Sequence, residues 1–172
     1  MTWQILLGLT LPGLLVFLAV YLTFRQYHQH LIRSQLLESK KGKDQVTLPL
    51  RLQAFERLIL LCERIDFADL TLRLITPGTS AKEIQSAMLI TVQQEFEHNL
   101  TQQLYVSHEL WQVMMAAKAK TMDIIALAGQ DLPQDATADA FAQKLMNIIS
   151  QEDSLPAHIG KKAIKTEASL WL

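Results

Sequence analysis

Residues 80–107 read SAKEIQSAMLITVQQEFEHNLTQQLYVS, and how this stretch folds decides the architecture of the chain. Ser80 is followed three positions later by Glu83, the S-x-x-E pattern in which the two residues satisfy each other's orphan amides at a helix start. Placing successive residues about 100° apart gives two stripes that run the length of the segment. Leu89, Phe96, Leu100 and Leu104 form one, which the pattern predicts to be core. The other starts apolar with Ile84, Met88 and Val92 and then turns polar, because Glu95, His98, Asn99 and Gln102 fall on the same side. The period predicts one helix from Ala81 to about Tyr105, with Ser107 as the cap of the next.

A face that passes from apolar to polar either emerges into water or stays covered, its polar groups satisfied by each other, a ligand or an ion. Glu95 and His98 make one Glu-x-x-His pair, and a di-iron helical bundle needs two such pairs with two further glutamates. Three residues on from each other Glu the chain never shows a second histidine. A mononuclear site drawing on His108 has only proximity in its favour. Glu95, His98, Asn99 and Gln102 are therefore expected to form a polar patch of structural or binding role, with no metal, cofactor or catalytic residue assigned.

The same periodicity extends in both directions. In LPLRLQAFERLILLCERID (48–66), Pro49 suits a first helical turn and Phe55, Leu58, Cys62 and Ile65 form one buried stripe, with Leu60 on the charged side. FADLTLRLIT (67–76) reads as an irregular or short helical connector, and TPG as a turn. Downstream, HELWQVMMAAKAKTMDIIALA is a helix stopped by Gly129, and ADAFAQKLMNIIS buries Phe141, Leu145, Ile148 and Ile149. Ser154 and Pro156 are primed to start a fifth helix toward Trp171. Met88, Met114, Met115, Met122 and Met146 are expected as core filler, and Lys118, Lys120, Lys161, Lys162 and Lys165 as solvated helix faces. No segment has the alternation or paired turns of a sheet, so the expected class is all-α, a bundle of about four to five helices.

The amino-terminal end is different. The chain has 172 residues, 49% hydrophobic and 19% charged, and from Thr2 to Phe24 it carries no Asp, Glu, Lys or Arg. Such a run is long enough to cross hydrocarbon, and without a basic n-region it reads as a single transmembrane helix over about residues 3–24. Trp3 and Tyr21 sit where amphipathic rings favour headgroups. Arg25, Arg33, Lys40, Lys41 and Lys43 all follow the run, so the positive-inside bias places the amino terminus outside and the rest in the cytoplasm. The organisation expected is a span and juxtamembrane stalk over 1–37, a linker over 38–48 and a cytoplasmic helical domain over 49–172. His28 and His30, two positions apart on the stalk, point apart and share no ion. The basic cluster suits anionic headgroups. Net charge is −1, which gives no general pull toward nucleic acid, and the single Cys62 in an apolar stretch suggests a buried thiol.

Catalytic motifs are missing. GKKAIK fails as a phosphate loop because Leu155 stands where a glycine is needed, and no G-x-S-x-G, HExxH or CxxC occurs. The segments LPLRLQAFERLILLCERID, SAKEIQ and EFEHNLTQQLYVS, within about residues 45–125, resemble a family of bacterial proteins with one amino-terminal span, a cytoplasmic helical domain and no assigned activity. The resemblance implies that topology and no functional residue. The expected role is a membrane-anchored scaffold or small subunit of a bacterial inner-membrane assembly. Lipid would be met by the span, an unidentified protein partner is expected, nucleic acid is not, and homo-oligomerisation stays open. The alternatives are a metal-dependent enzyme or sensor using Glu95 and His98, and an anionic-lipid-sensing adaptor.

Overall fold

The computed structural model describes residues 21, 23–25 and 47–171. The expected span, stalk and linker lie outside the described residues apart from Tyr21, Thr23, Phe24 and Arg25, which are helical, and the last residues of the linker; Arg33, Lys40, Lys41 and Lys43 are likewise outside. Among the described residues no helix is long and apolar enough to cross a membrane. The chain divides into two units, Met1–Thr47 and Leu48–Leu172, and the second is a helical domain. Its elements are α1 (47–64), α2 (Phe67–Leu74), α3 (Ala81–His98), a 3-10 helix (Leu100–Leu104), α4 (His108–Gly129), α5 (Ala138–Ile149) and α6 (Pro156–Ala168). The all-α class holds, with more helices than the four to five expected.

The additional helix is α2. Asp66 ends α1 and caps its successor, its carboxylate accepting from the Ala68 amide at 3.1 Å, and Phe67 and Leu70 are buried. Thr76-Pro77-Gly78-Thr79 then turns the chain, with Gly78 at φ +84°, a value that a side chain would strain. The capping box at Ser80 forms as the sequence predicts: Ser80 N–H donates to Glu83 Oε2 at 2.9 Å and Glu83 N–H to Ser80 Oγ at 3.3 Å. The starts of α3 and α5 also complete each other. Ala81 N–H donates to Ala136 O and Ala138 N–H to Thr79 O, an isolated bridge that satisfies amides no helix can reach.

α3 is shorter than predicted. It stops at His98, Asn99 turns away at φ −106° and ψ 4°, and the chain continues as a 3-10 helix instead of running on to Tyr105. A 3-10 turn takes about 3.0 residues against 3.6, so the hydrophobic phase is lost after Asn99. Leu100 and Leu104, expected in the core, are exposed, Leu104 by 77%, while Ile84, Met88, Val92 and Phe96 are buried.

α4 is the central helix, packed against α3, α5 and α6 through residues such as Trp111, Met114 and Ile125. Gly129 does not stop it by adopting a left-handed conformation; a Cβ there would meet the Gln85 side chain, whose Nε2 donates to Ala126 O at 3.2 Å. In α5, Phe141 and Leu145 are buried, but Ile148 and Ile149 only partly. α6 begins with Pro156 in its first turn and Leu155, not Ser154, at the cap position. Of the methionines, Met88 and Met114 are core, whereas Met115 and Met146 are exposed. Gly160 lets α6 approach α1 and α4 closely: an added Cβ would lie 2.9 Å from Cys62 Sγ and 3.4 Å from Met114 Sδ.

Two stability measurements follow from these packings. Gly160→Ala should lose about 1–3 kcal/mol by overpacking, and Cys62→Ala in the same chain should recover part of it, a coupling that denaturant titration of the four-member cycle reads directly. Ser80→Ala removes a hydroxyl cap of a kind that typically contributes about 1 kcal/mol. The Ser80 amide, and then its hydroxyl, hold the Glu83 carboxyl below its usual range. Stability from a depressed carboxyl is present above its unfolded pKa and lost as pH falls through the folded value. The gap between parent and Ser80→Ala should therefore narrow in acid, as thermal melts across pH would show.

Candidate functional site

The polar patch forms where α1 and α3 end side by side. Arg64, in the last turn of α1, donates Nη1 to both oxygens of Glu95, at 3.1 and 3.2 Å. Glu95 is 13% exposed and Arg64 58%. Arg73 of α2 in turn donates Nη2 to the Arg64 carbonyl at 2.6 Å and is held by Asp69 at 2.7 Å, so a cation also meets the open end of α1. With its arginine half in water, the Arg64–Glu95 pair contributes at most about 1 kcal/mol.

The two amides are used in the same structural way. Asn99 and Gln102 are buried; Asn99 Nδ2 donates to Glu95 O at 2.8 Å and closes the end of α3, and Gln102 Nε2 donates to Thr101 Oγ1 at 3.2 Å. Among the described residues no buried side-chain nitrogen or oxygen lacks a partner. His98 is exposed, on the rim of a shallow cleft of about 360 Å³ that Leu60, Arg64 and Glu95 also line. His108 lies on α4 and meets Gln112. Among the described residues no three His, Cys, Asp or Glu side chains are grouped to hold a metal ion. Burial pushes the Cys62 thiol up to about 12, so at neutral pH it stays protonated and is no nucleophile.

A second feature joins the start of α4 to the end of α6. Ser107 caps α4, its Oγ accepting from Leu110 N–H at 3.0 Å, and Glu167 of α6 accepts from Ser107 N–H at 2.8 Å and from Ser107 Oγ. This clamp fixes the end of α6 against the start of α4. Alongside it an apolar groove of about 760 Å³ runs between the two helices, walled by Val106, Leu110 and Val113 on one side and Ile159, Ala163 and Leu170 on the other. Arg51 of α1 stacks 3.9 Å over the Trp171 ring at its margin. Ile159 is 47% exposed and Leu170 78%. The available signal was a second stripe, Ile159, Ala163 and Thr166 on α6 with Leu170 just past its end, out of phase with the buried Ala157, Gly160 and Ile164.

The clamp should matter more to stability than the patch. Glu167→Ala is expected to cost about 1.5–3 kcal/mol, the range for hydrogen bonds to a charged group, and Glu95→Ala no more than about 1 kcal/mol; urea unfolding of the two variants checks the order.

No curated protein and no solved structure shows significant similarity to the chain. A family described as of unknown function, DUF7935, matches residues 2–170. With that match running almost from end to end, the chain belongs to the DUF7935 family.

Proposed function

We propose that this protein is a membrane-anchored helical interaction module, a scaffold or small subunit that holds a partner through the groove between α4 and α6 and carries out no chemistry of its own. The groove is the observation that carries this reading. It is apolar along its floor, flanked by two antiparallel helices and edged by charges of both signs, Glu109 on α4, Lys162 and Glu167 on α6 and Arg51 on α1. These are the requirements for seating the apolar face of an amphipathic helix. Anchoring is supported by the uncharged run from Thr2 to Phe24 and by Arg25, Arg33, Lys40, Lys41 and Lys43 after it, an arrangement that favours an outside amino terminus and a cytoplasmic domain in a bacterial inner membrane.

The metal-dependent alternative gains nothing from Glu95, whose carboxylate is taken by Arg64. A reading as an adaptor to anionic lipid has one observation in its favour: α6 turns His158, Lys161, Lys162 and Lys165 toward a cleft that Glu63, bound to Lys161 at 3.1 Å, also lines.

Site-specific photo-crosslinking of the full chain in its own membranes tests the docking role. A photoreactive phenylalanine at Ile159, in the groove, should give discrete protein adducts several-fold above those from the same probe at Leu72, which is 84% exposed on α2. Equal yields at the two positions, or none at Ile159, would remove the reason for assigning the groove a partner. Adducts to lipid alone would favour the adaptor reading.

A further inference from the structure

We propose that the side of α6 next to α1 is a site for a phosphate group, carried by a phospholipid headgroup or free as the anion. It is a second site on the same helix and does not depend on what the groove holds.

The spacing of the cations comes first. His158, Lys161, Lys162 and Lys165 stand at i, i+3, i+4 and i+7, so they share one side of the helix, and all four line the cleft beside α1. Residues three and four apart are neighbours on a helix surface, and like charges so placed repel. Lys165 is therefore a neighbour of both Lys161 and Lys162, with no acid of α6 between them. Glu167, the acid of this helix, is turned to Ser107. A solvated face ordinarily mixes the two signs, as α1 does with Glu56, Arg57, Glu63 and Arg64.

The chain offsets little of this repulsion. Glu63 meets Lys161 at 3.1 Å, and among the described residues Lys162 and Lys165, both exposed, form no ion pair. Glu56, two turns before Glu63 on α1, lines the other cleft, with Arg57 and Arg64. Net charge of the whole chain is −1, so the cluster is a local feature and not part of a general basic field.

A phosphate group suits these donors. Each ammonium is a compact charge with three rotatable donors, and one phosphate offers several oxygens, so neighbouring lysines can share it and their repulsion becomes attraction. The hydroxyls at the far end of the cleft add no donor, since Thr166 Oγ1 already donates to Lys162 O and Ser169 Oγ to Thr166 O. At about 610 Å³ the cleft is also wider than one phosphate. Charge and not shape then selects the ligand, which leaves room for whatever the phosphate is attached to.

Acetylation footprinting of lysines in the full chain, held in neutral detergent at constant ionic strength, tests this position by position. Exchanging chloride for inorganic phosphate, or adding phosphatidylglycerol to the micelles, should slow acetylation of Lys165 about threefold or more relative to Lys82, an exposed lysine in the first turn of α3. Slowing by phosphatidylglycerol alone assigns the site to headgroups; slowing by both anions shows that it also takes the free ion. Lys162→Gln, at an exposed position, should raise the anion level for half protection of Lys165 about fivefold, and Glu63→Gln, which frees Lys161, should lower it. Lys165 slowed no more than Lys82 by either anion would overturn the proposal, and so would protection indifferent to both substitutions. Neither result bears on the groove, whose own test is the adducts at Ile159.

Discussion

The bond between Glu167 and Ser107 joins the last turn of α6 to the first turn of α4 across 60 residues of sequence. The start of a helix presents amides without intrahelical partners and a partial positive charge. α4 has such an acid in its own first turn, Glu109, but the amide of Ser107 is met by a carboxylate from another helix. One carboxylate therefore both caps the central helix and docks the final one. α6 is held along the rest of its length by the Gly160 notch against Cys62 and Met114 and by the Lys161–Glu63 pair. Between these fixed points Ala163 faces the groove with too little side chain to close it. The groove is thus a consequence of how α6 is attached rather than of looseness in the packing.

The sequence announces those parts of the fold whose cause is local. Ser80 with Glu83, Ser107 and Pro156 each start a helix within a residue or so of the expected place, because capping and proline geometry act over three or four positions. The stripe Phe55, Leu58, Cys62 and Ile65 is buried as its spacing requires. Leu100 and Leu104 misled because they continue the period of a helix that has already changed pitch. The cause is Asn99, whose side chain folds back to the Glu95 carbonyl, and an asparagine in a run of polar residues carries no mark of that choice. α4 does end at Gly129 as expected, but the glycine also has a role the pattern does not show, its absent side chain making room for Gln85, some forty residues earlier.

The candidate site was legible as a place and not as a role. Glu95 and Asn99 are covered at the end of α3 and Gln102 is buried in the 3-10 turn beyond it, each with a partner inside the chain, whereas His98 is exposed. What decided it was Arg64, 31 residues away, and backbone carbonyls whose direction depends on where α3 ends. Neither is visible in residue spacing. The groove was invisible for a further reason: it needs two apolar half-faces, on α4 and α6, brought together by a contact between Ser107 and Glu167 that no local pattern encodes.

Membrane anchoring, as proposed, changes what such a groove must accomplish. A free protein forming a stable complex commonly buries about 800 Å² per partner. Two domains tethered to one bilayer no longer lose the full translational freedom of association, so a modest apolar contact can suffice, since tethering raises effective concentration toward the millimolar range. A weak contact formed under those conditions has little spare affinity with which to reject wrong partners. The charged margin supplies discrimination instead, because a helix entering with the wrong sign against Glu109 or Lys162 meets like-charge repulsion. On this view the apolar floor sets how tightly the groove holds, the charged rims set what it holds, and the clamp at Glu167 keeps the two at a fixed distance from each other.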